Sequence, residues 1–288
     1  MAVAIPAGTS FRGRERRLSL PTSSSVLLNW AAVALVLVVT VVAVAVPLLA
    51  PDDPLLPVGM PLQAPGKGGF LLGTDSIGRD ILSRVLYGVR SSWFAALVVV
   101  AVGLFIGGLV GLIAGATGGW IDGVLMRITD AFLSLPAPVL AIAVVAALGP
   151  GFIHTLIAVS IVWWPFYARL VRGGVARLAA RPHIEAAKLA GVGRLRLAGR
   201  HLLPGAVPNA LVAASLDIGT LILTLAALSF LGLGQSQPAP ELGADAARNL
   251  SYFLQQWWIP VMPGLGLLVL ALIANFAGDS LRNLMKTS

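Results

Sequence analysis

The sequence predicts an all-helical integral membrane protein with six transmembrane helices and both termini cytoplasmic. Three observations carry that reading. First, 57% of the 288 residues are hydrophobic and only 11% are charged, where soluble domains carry about 25% charged and roughly 45–50% apolar residues. The chain has too little polar surface to face water alone, so a bilayer must solvate much of it. Second, the apolar residues gather into six runs of near-spanning length, separated by polar segments. Third, the basic residues lie between those runs and are divided unevenly between the two sides that the runs define.

The elements follow in order. Residues 1–25 read as a basic cytoplasmic tail, with Arg12, Arg14, Arg16 and Arg17. The next segment, Val26–Ala50, carries no charge and exceeds the roughly 7–15 apolar residues of a signal-peptide core. It predicts a first span, although Arg16-Arg17 resembles a twin-arginine signal. A transmembrane domain is thus expected over 26–280. Residues 51–90 contain Pro51, Pro54, Pro57, Pro61 and Pro65 and form an outer loop, ending in a polar, partly helical approach to the second span. That span is Trp93–Ala116. The third, Met126–Leu148, has Pro136 and Pro138 inside it. A Gly149-Pro150-Gly151 turn leads into the fourth, Phe152–Leu170. A basic cytoplasmic loop covers 171–206, and the fifth span is Val207–Leu231. An outer loop at 233–257 precedes the sixth span, Trp258–Gly278, and residues 281–288 form a cytoplasmic tail.

Charge sets the orientation. With the N-terminus inside, the outer segments hold five basic residues, Lys67, Arg79, Arg84, Arg90 and Arg248, and the other fifteen of the 20 Lys+Arg lie inside. That asymmetry is the positive-inside bias of membrane proteins. It accounts for the net charge of +8 without a nucleic-acid surface. The absence of cysteine excludes disulfides, thiolate metal sites and cysteine nucleophiles.

Within the second span, Gly103, Gly107, Gly111 and Gly115 recur every fourth residue. Glycine costs about 1 kcal/mol in a helix interior, so a stripe of it marks close helix–helix approach. The partner helix is not readable from the pattern. The loop between the fourth and fifth spans reads Glu185-Ala186-Ala187-Lys188-Leu189-Ala190-Gly191, then His201-Leu202-Leu203-Pro204 after nine residues. Gly191 is placed to end a short amphipathic helix, and Pro204 to turn the chain towards the next span. A second basic helix is expected between them at the membrane face. A lipid-bound basic helix would account for the arginines but not for Glu185, Gly191 and Pro204 at these spacings.

This loop resembles the signature loop of bacterial ABC-importer permeases, where Glu-Ala-Ala is followed by Gly six positions after the Glu and by a Leu-Pro ending. That pattern has an aliphatic residue where this chain has His201, and Arg200–Pro204 is similar to the "RHxLP" run of the peptide-importer branch. Leu72–Arg84 resembles the "LGTDxxGRDxxSR" element of C-type dipeptide/oligopeptide/nickel permeases, and Leu228–Gly234 their "LSFLGLG". Gly278–Arg282 resembles "GDxLRD", with Asn283 replacing the last Asp. The resemblance covers roughly residues 25–286. Relatives often carry Glu where this chain has Leu225.

The resemblance implies the type I ABC importer permease fold in a bacterial cytoplasmic membrane. It implies a second, B-type permease subunit, two ATPase subunits or one fused ATPase, and a solute-binding protein outside. The site residues it implies are Glu185, Ala186, Ala187, Gly191, Leu203 and Pro204 for coupling to an ATPase, and Gly73, Thr74, Asp75, Gly78, Arg79 and Asp80 as an outer motif. The cargo it implies is di- or oligopeptides, with nickel or another small solute as the alternative. ATP and magnesium are expected on the ATPase partners. This chain has no GxxxxGK[ST] run to hold ATP, and no catalytic residue, metal ligand or cofactor of its own is expected.

Three further readings come from the residues. Asp217 falls inside the fifth span, where an acid either lines a path or bonds a neighbouring helix. Asp75, Arg79 and Asp80 make a poor metal set without histidine; Thr74 and Asp75 are expected to cap a helix while Arg79 pairs locally. Trp163-Trp164 and Trp257-Trp258 suit interfacial anchoring. A secondary transporter driven by an ion gradient is the competing class, and would need intramembrane ion ligands at helix breaks. Asp217 with Pro136 and Pro138 gives it thin support. An intramembrane enzyme would need Ser/His or paired Asp within the spans, and Asp217 is the one acid placed clearly inside a span.

Overall fold

The computed structural model describes residues 23–287, so most of the tail expected over 1–25 lies outside the described residues. The described chain is helical: α1 (Ser23–Leu49), α2 (Ile81–Thr117), α3 (Gly119–Leu133), α4 (Ala137–Leu148), α5 (Phe152–Ala179), α6 (Pro182–Leu189), α7 (Arg194–Leu197), α8 (Leu203–Phe230), α9 (Leu242–Arg248) and α10 (Trp258–Thr287). A π-helical turn, Ala198–Leu202, joins α7 to α8. By length and composition α2, α5, the continuous helix Ala198–Phe230 and α10 can each cross a bilayer. The bent pair α3 and α4 passes the same test only when taken together, as a broken span or a re-entrant loop, and α1 holds the shorter apolar stretch Val33–Leu49.

The third expected span is not one helix. α3 and α4 meet at 88°. Pro136 cannot donate a helical hydrogen bond and pushes Leu135 out of the helical region, while Pro138 falls in the first turn of α4, where its missing N–H costs nothing. The second basic helix expected at the membrane face is also absent as a separate piece. α7 and the π-turn run directly into α8, with Pro204 in the first turn of α8. The partly helical approach to the second span is present and continuous with that span, because α2 starts at Ile81 and runs unbroken to Thr117.

Packing follows the small residues. α2 lies along α5, and α8 lies along α10. One core joins α1, α2, α5, α8 and α10 around Trp93, Tyr167, Leu221 and Ile222. A second core closes the cytoplasmic end expected from the charge count, with Val171 and Val175 of α5, Ile184 of α6, Leu197 of α7, and Leu202, Ala206 and Ala210 leading into α8. Of the Trp257-Trp258 pair only Trp257 is exposed; Trp258 is packed with Ile81 and Ile259 instead of serving as an interfacial anchor.

Candidate functional site

The loop between α5 and α8 folds back on the helix ends it connects. Ile184 is 1% exposed and anchors α6 in the second core, while Leu189 is 90% exposed on the other side. Glu185 and Ala186 share the open side and Ala187 is half-buried. α6 ends in a Schellman-type cap. The Val192 N–H donates to the Ala187 carbonyl at 3.1 Å, and Gly191 between them has φ +80°. Val192 and Ala187 both pack on the second core, supplying the apolar contact of such a cap. A methyl group at Gly191 would meet nothing within 4 Å. Gly191 is therefore set by its left-handed backbone and not by crowding within this chain. Leu202 is buried, whereas Leu203 and Pro204 lie exposed at the foot of α8.

At the other end of α8 the outer motif folds into a compact cap. Thr74 Oγ1 donates to the Met60 carbonyl at 2.6 Å and accepts from the Gln63 N–H at 2.9 Å. Asp75 accepts from the N–H groups of Ile77 and Arg79 and pairs with Arg79 Nε at 2.6 Å. The expected local pairing of Arg79 is thus present, but the helix cap is a different residue. Asp80 caps α2, accepting from Ser83 N at 2.7 Å, Leu82 N at 3.3 Å and Ser83 Oγ at 2.7 Å. These two carboxylates are engaged by local donors. Gly73 and Gly78 take positive φ, and a side chain at either would run into a carbonyl of the 59–64 segment.

Arg84, the last residue of that motif, reaches furthest. Its Nη2 donates to both Asp245 oxygens, at 2.7 and 2.9 Å, and its Nη1 donates to the carbonyls of Pro54, at 2.9 Å, and Pro238, at 3.3 Å. One guanidinium thereby holds together the 51–60 loop, α2, the 233–240 loop and α9. Glu241 caps α9 through the N–H groups of Gly243 and Ala244. Burial pushes its carboxyl above the ordinary range, with the nearby Asp245 charge adding to that. Arg248 pairs with Asp245 at 3.6 Å and donates to the Gln235 carbonyl. Burial lowers the affinity of Arg248 for its proton, which Asp245 and Glu241 partly offset. Arg84 is part of the matched motif, but nothing local in the sequence points to Asp245 or Glu241 as its neighbours.

Within the spans, the glycine stripe of α2 lies against α5. A methyl group at Gly107 would sit 2.7 Å from Tyr167 Cβ and 2.8 Å from Ala168 N; at Gly111, 2.9 Å from Arg172 N; at Gly115, 2.8 Å from Val175 Cβ; and at Gly103, 3.2 Å from Tyr167 Cε2. Asp217 is half-buried on α8 and turned towards α5. The Trp163 indole N–H reaches it at a long 3.4 Å, and the Tyr167 hydroxyl lies in its field without a well-formed hydrogen bond. Asp217 is not among the residues lining the cavities of about 370, 320 and 430 Å³. Deeper towards the loop, Arg172 pairs with Asp122 at 2.5 and 3.0 Å and Arg169 pairs with Asp130, tying α5 to α3.

Residues 107–287 match the model of a family described as binding-protein-dependent transport system inner membrane component. A probable D,D-dipeptide transport system permease protein of Escherichia coli K12 is 43% identical over 221 residues, covering 77% of this chain and 74% of the relative. A glutathione transport system permease protein of Pectobacterium atrosepticum is 42% identical over 74% of this chain and 70% of its own length. The inward-facing MetNI methionine ABC transporter shares the fold, with a TM-score of 0.59 at 22% identity over 72% of this chain and 98% of that one.

Proposed function

Because this chain belongs to the family of binding-protein-dependent transport system inner membrane components, the permease subunits of ABC importers, we propose that it forms half of the pathway of an ATP-driven importer of di- or oligopeptides. Curated relatives named for dipeptide, di/tripeptide and glutathione transport support that cargo class. ABC permeases work with a second permease and with ATPase subunits. Here we take the second permease to be a B-type homologue, and the ATPase to be two subunits or one fused chain that holds ATP and magnesium. A solute-binding protein delivers the peptide from outside, and both termini of this chain lie in the cytoplasm.

The observation that carries the coupling role is the shape of α6. It is a short helix fixed to the ends of α5 and α8 by Ile184, yet it presents Glu185, Ala186 and Leu189 outwards. Leu189, 90% exposed, stands beside Ala186 as the apolar anchor that a groove on a partner would cover. In this reading Leu189 fills the groove and Glu185 meets a basic group on its rim. Closure of the ATPases moves α6, and α5 and α8 move with it because they share its core.

Substitution at Gly191 tests the assignment. Gly191→Asp should insert and assemble as the unchanged chain does, but lose most of the coupling between ATP hydrolysis and peptide uptake. Gly191→Asn, which tolerates the left-handed backbone, separates shape from bulk: coupling should fall here too if the partner groove excludes a side chain. Full coupling in both variants would overturn the docking assignment.

A further inference from the structure

Five basic residues lie on segments that the charge asymmetry places outside, and four are accounted for. Arg79 pairs with Asp75, and Arg84 and Arg248 pair with Asp245. Lys67 lies on an exposed loop. Arg90 differs: among the described residues it makes no ion pair or hydrogen bond, although it is part of a membrane-crossing helix. A basic residue in such a place normally meets a counter-charge or a polar surface.

Its height can be reckoned. Residues 91–117 of α2 carry no charge and rise about 40 Å at 1.5 Å per residue. The hydrocarbon core is about 30 Å thick, and about 40–45 Å with headgroups. Arg90 therefore stands at headgroup level, with Phe94 and Val98 below it at the depth of the acyl chains. A cavity of about 370 Å³ opens at that point, lined by Tyr87, Arg90, Phe94 and Val98 of α2, Leu156 of α5 and Gln235 of the outer loop. Its polar groups lie at the top beside Arg90 and Gln235, and its lower wall is apolar. An amphiphile with an anionic head and a hydrocarbon tail has that same order of polarity.

We propose that this cavity is a binding site for an anionic phospholipid of the outer leaflet, whose phosphate pairs with Arg90 and whose acyl chain lies along Phe94, Val98 and Leu156. A zwitterionic lipid offers the same chain with no net charge, and a small peptide offers a carboxylate without the chain. The inference rests on the outward placement of Arg90 proposed above. A reversed orientation would move the site to the other leaflet and leave the affinities unchanged, and cysteine labelling from each side of the membrane reads that separately.

The test uses the purified complex of both permeases and the ATPases, with phosphatidylglycerol and phosphatidylcholine of identical chains counted by native mass spectrometry. The unchanged complex should retain phosphatidylglycerol in preference. Arg90→Gln should weaken phosphatidylglycerol on the order of fivefold and leave phosphatidylcholine unaltered. Arg90→Lys should keep most of the preference, which guards against a folding defect in the glutamine variant. Val98→Trp, which fills the cavity, should weaken both lipids. Equal retention of the two lipids, or an unaltered preference in Arg90→Gln, overturns the proposal. So does failure of phosphatidylglycerol to bind the complex, which would mean that a partner carboxylate already pairs with Arg90. Displacement of the lipid by dipeptide would also overturn it, by assigning the cavity to cargo.

Discussion

A methyl group at Gly107 would come within 2.7 Å of Tyr167 Cβ, whereas one at the adjacent Gly108 would meet nothing within 4 Å. Two neighbouring glycines with the same intrinsic helix cost thus have opposite roles. Gly107→Ala should destabilise the subunit by about 1–3 kcal/mol, the range for overpacking a close contact. Gly108→Ala should be neutral or stabilising by up to about 1 kcal/mol through helix propensity. Thermal unfolding of the two variants in one detergent checks this. Equal midpoints would mean that the α2–α5 contact yields easily. The four-residue period was legible in the sequence; the identity of the facing helix was not, because the pattern describes one surface only.

Among the elements, α9 is a short helix wedged where α2, α8 and α10 meet. Leu242 fills the space left by Gly88 of α2, with a methyl there only 2.8 Å from Leu242 Cδ2, and Gly243 sits against the backbone of Ala226 on α8. The wedge is fastened by the Arg84–Asp245 pair, whose side chains are 5% and 7% exposed. Removing one member of a buried pair strands the other and typically costs about 3–5 kcal/mol. Arg84→Ala and Asp245→Ala should therefore each release α9, seen as faster amide exchange across 242–248 in the purified complex. The double variant Arg84→Met/Asp245→Leu should recover part of the protection. Recovery will be incomplete, because Arg84 also satisfies the carbonyls of Pro54 and Pro238. Unaltered exchange in the single variants would show that apolar packing alone holds the wedge.

Across the whole molecule, the two ends of α8 carry the proposed coupling loop and the cap formed around the 72–84 motif, with the apolar span between them. The orientation that follows from the charge count is directly testable because the chain has no cysteine. In the proposed orientation Leu254→Cys, on an exposed segment, should react with an impermeant maleimide added to intact cells. Ala190→Cys, beside the coupling helix, should react only after permeabilisation. The reverse pattern would invert the topology and remove α6 from reach of a cytoplasmic ATPase.

Composition, run length and charge asymmetry were enough to determine that this chain is a helical membrane protein and where its apolar segments lie; the reading of the 185–191 loop as the point of energy input comes from the resemblance of its motif. These properties follow from solvation and from short stretches of chain, where a cap such as Gly191 or a break such as Pro136 acts on its immediate neighbours. Only the tertiary structure decided that the break at Pro136 turns the chain by 88°, that the glycine stripe faces α5, that Asp80 and not Asp75 caps α2, and that Asp217 turns to Trp163. It alone paired Arg84 with Asp245, 161 positions away, and left Arg90 without a partner among the described residues. Pairings of that kind depend on which helix faces meet, and burial against a distant segment writes no period or spacing into either one.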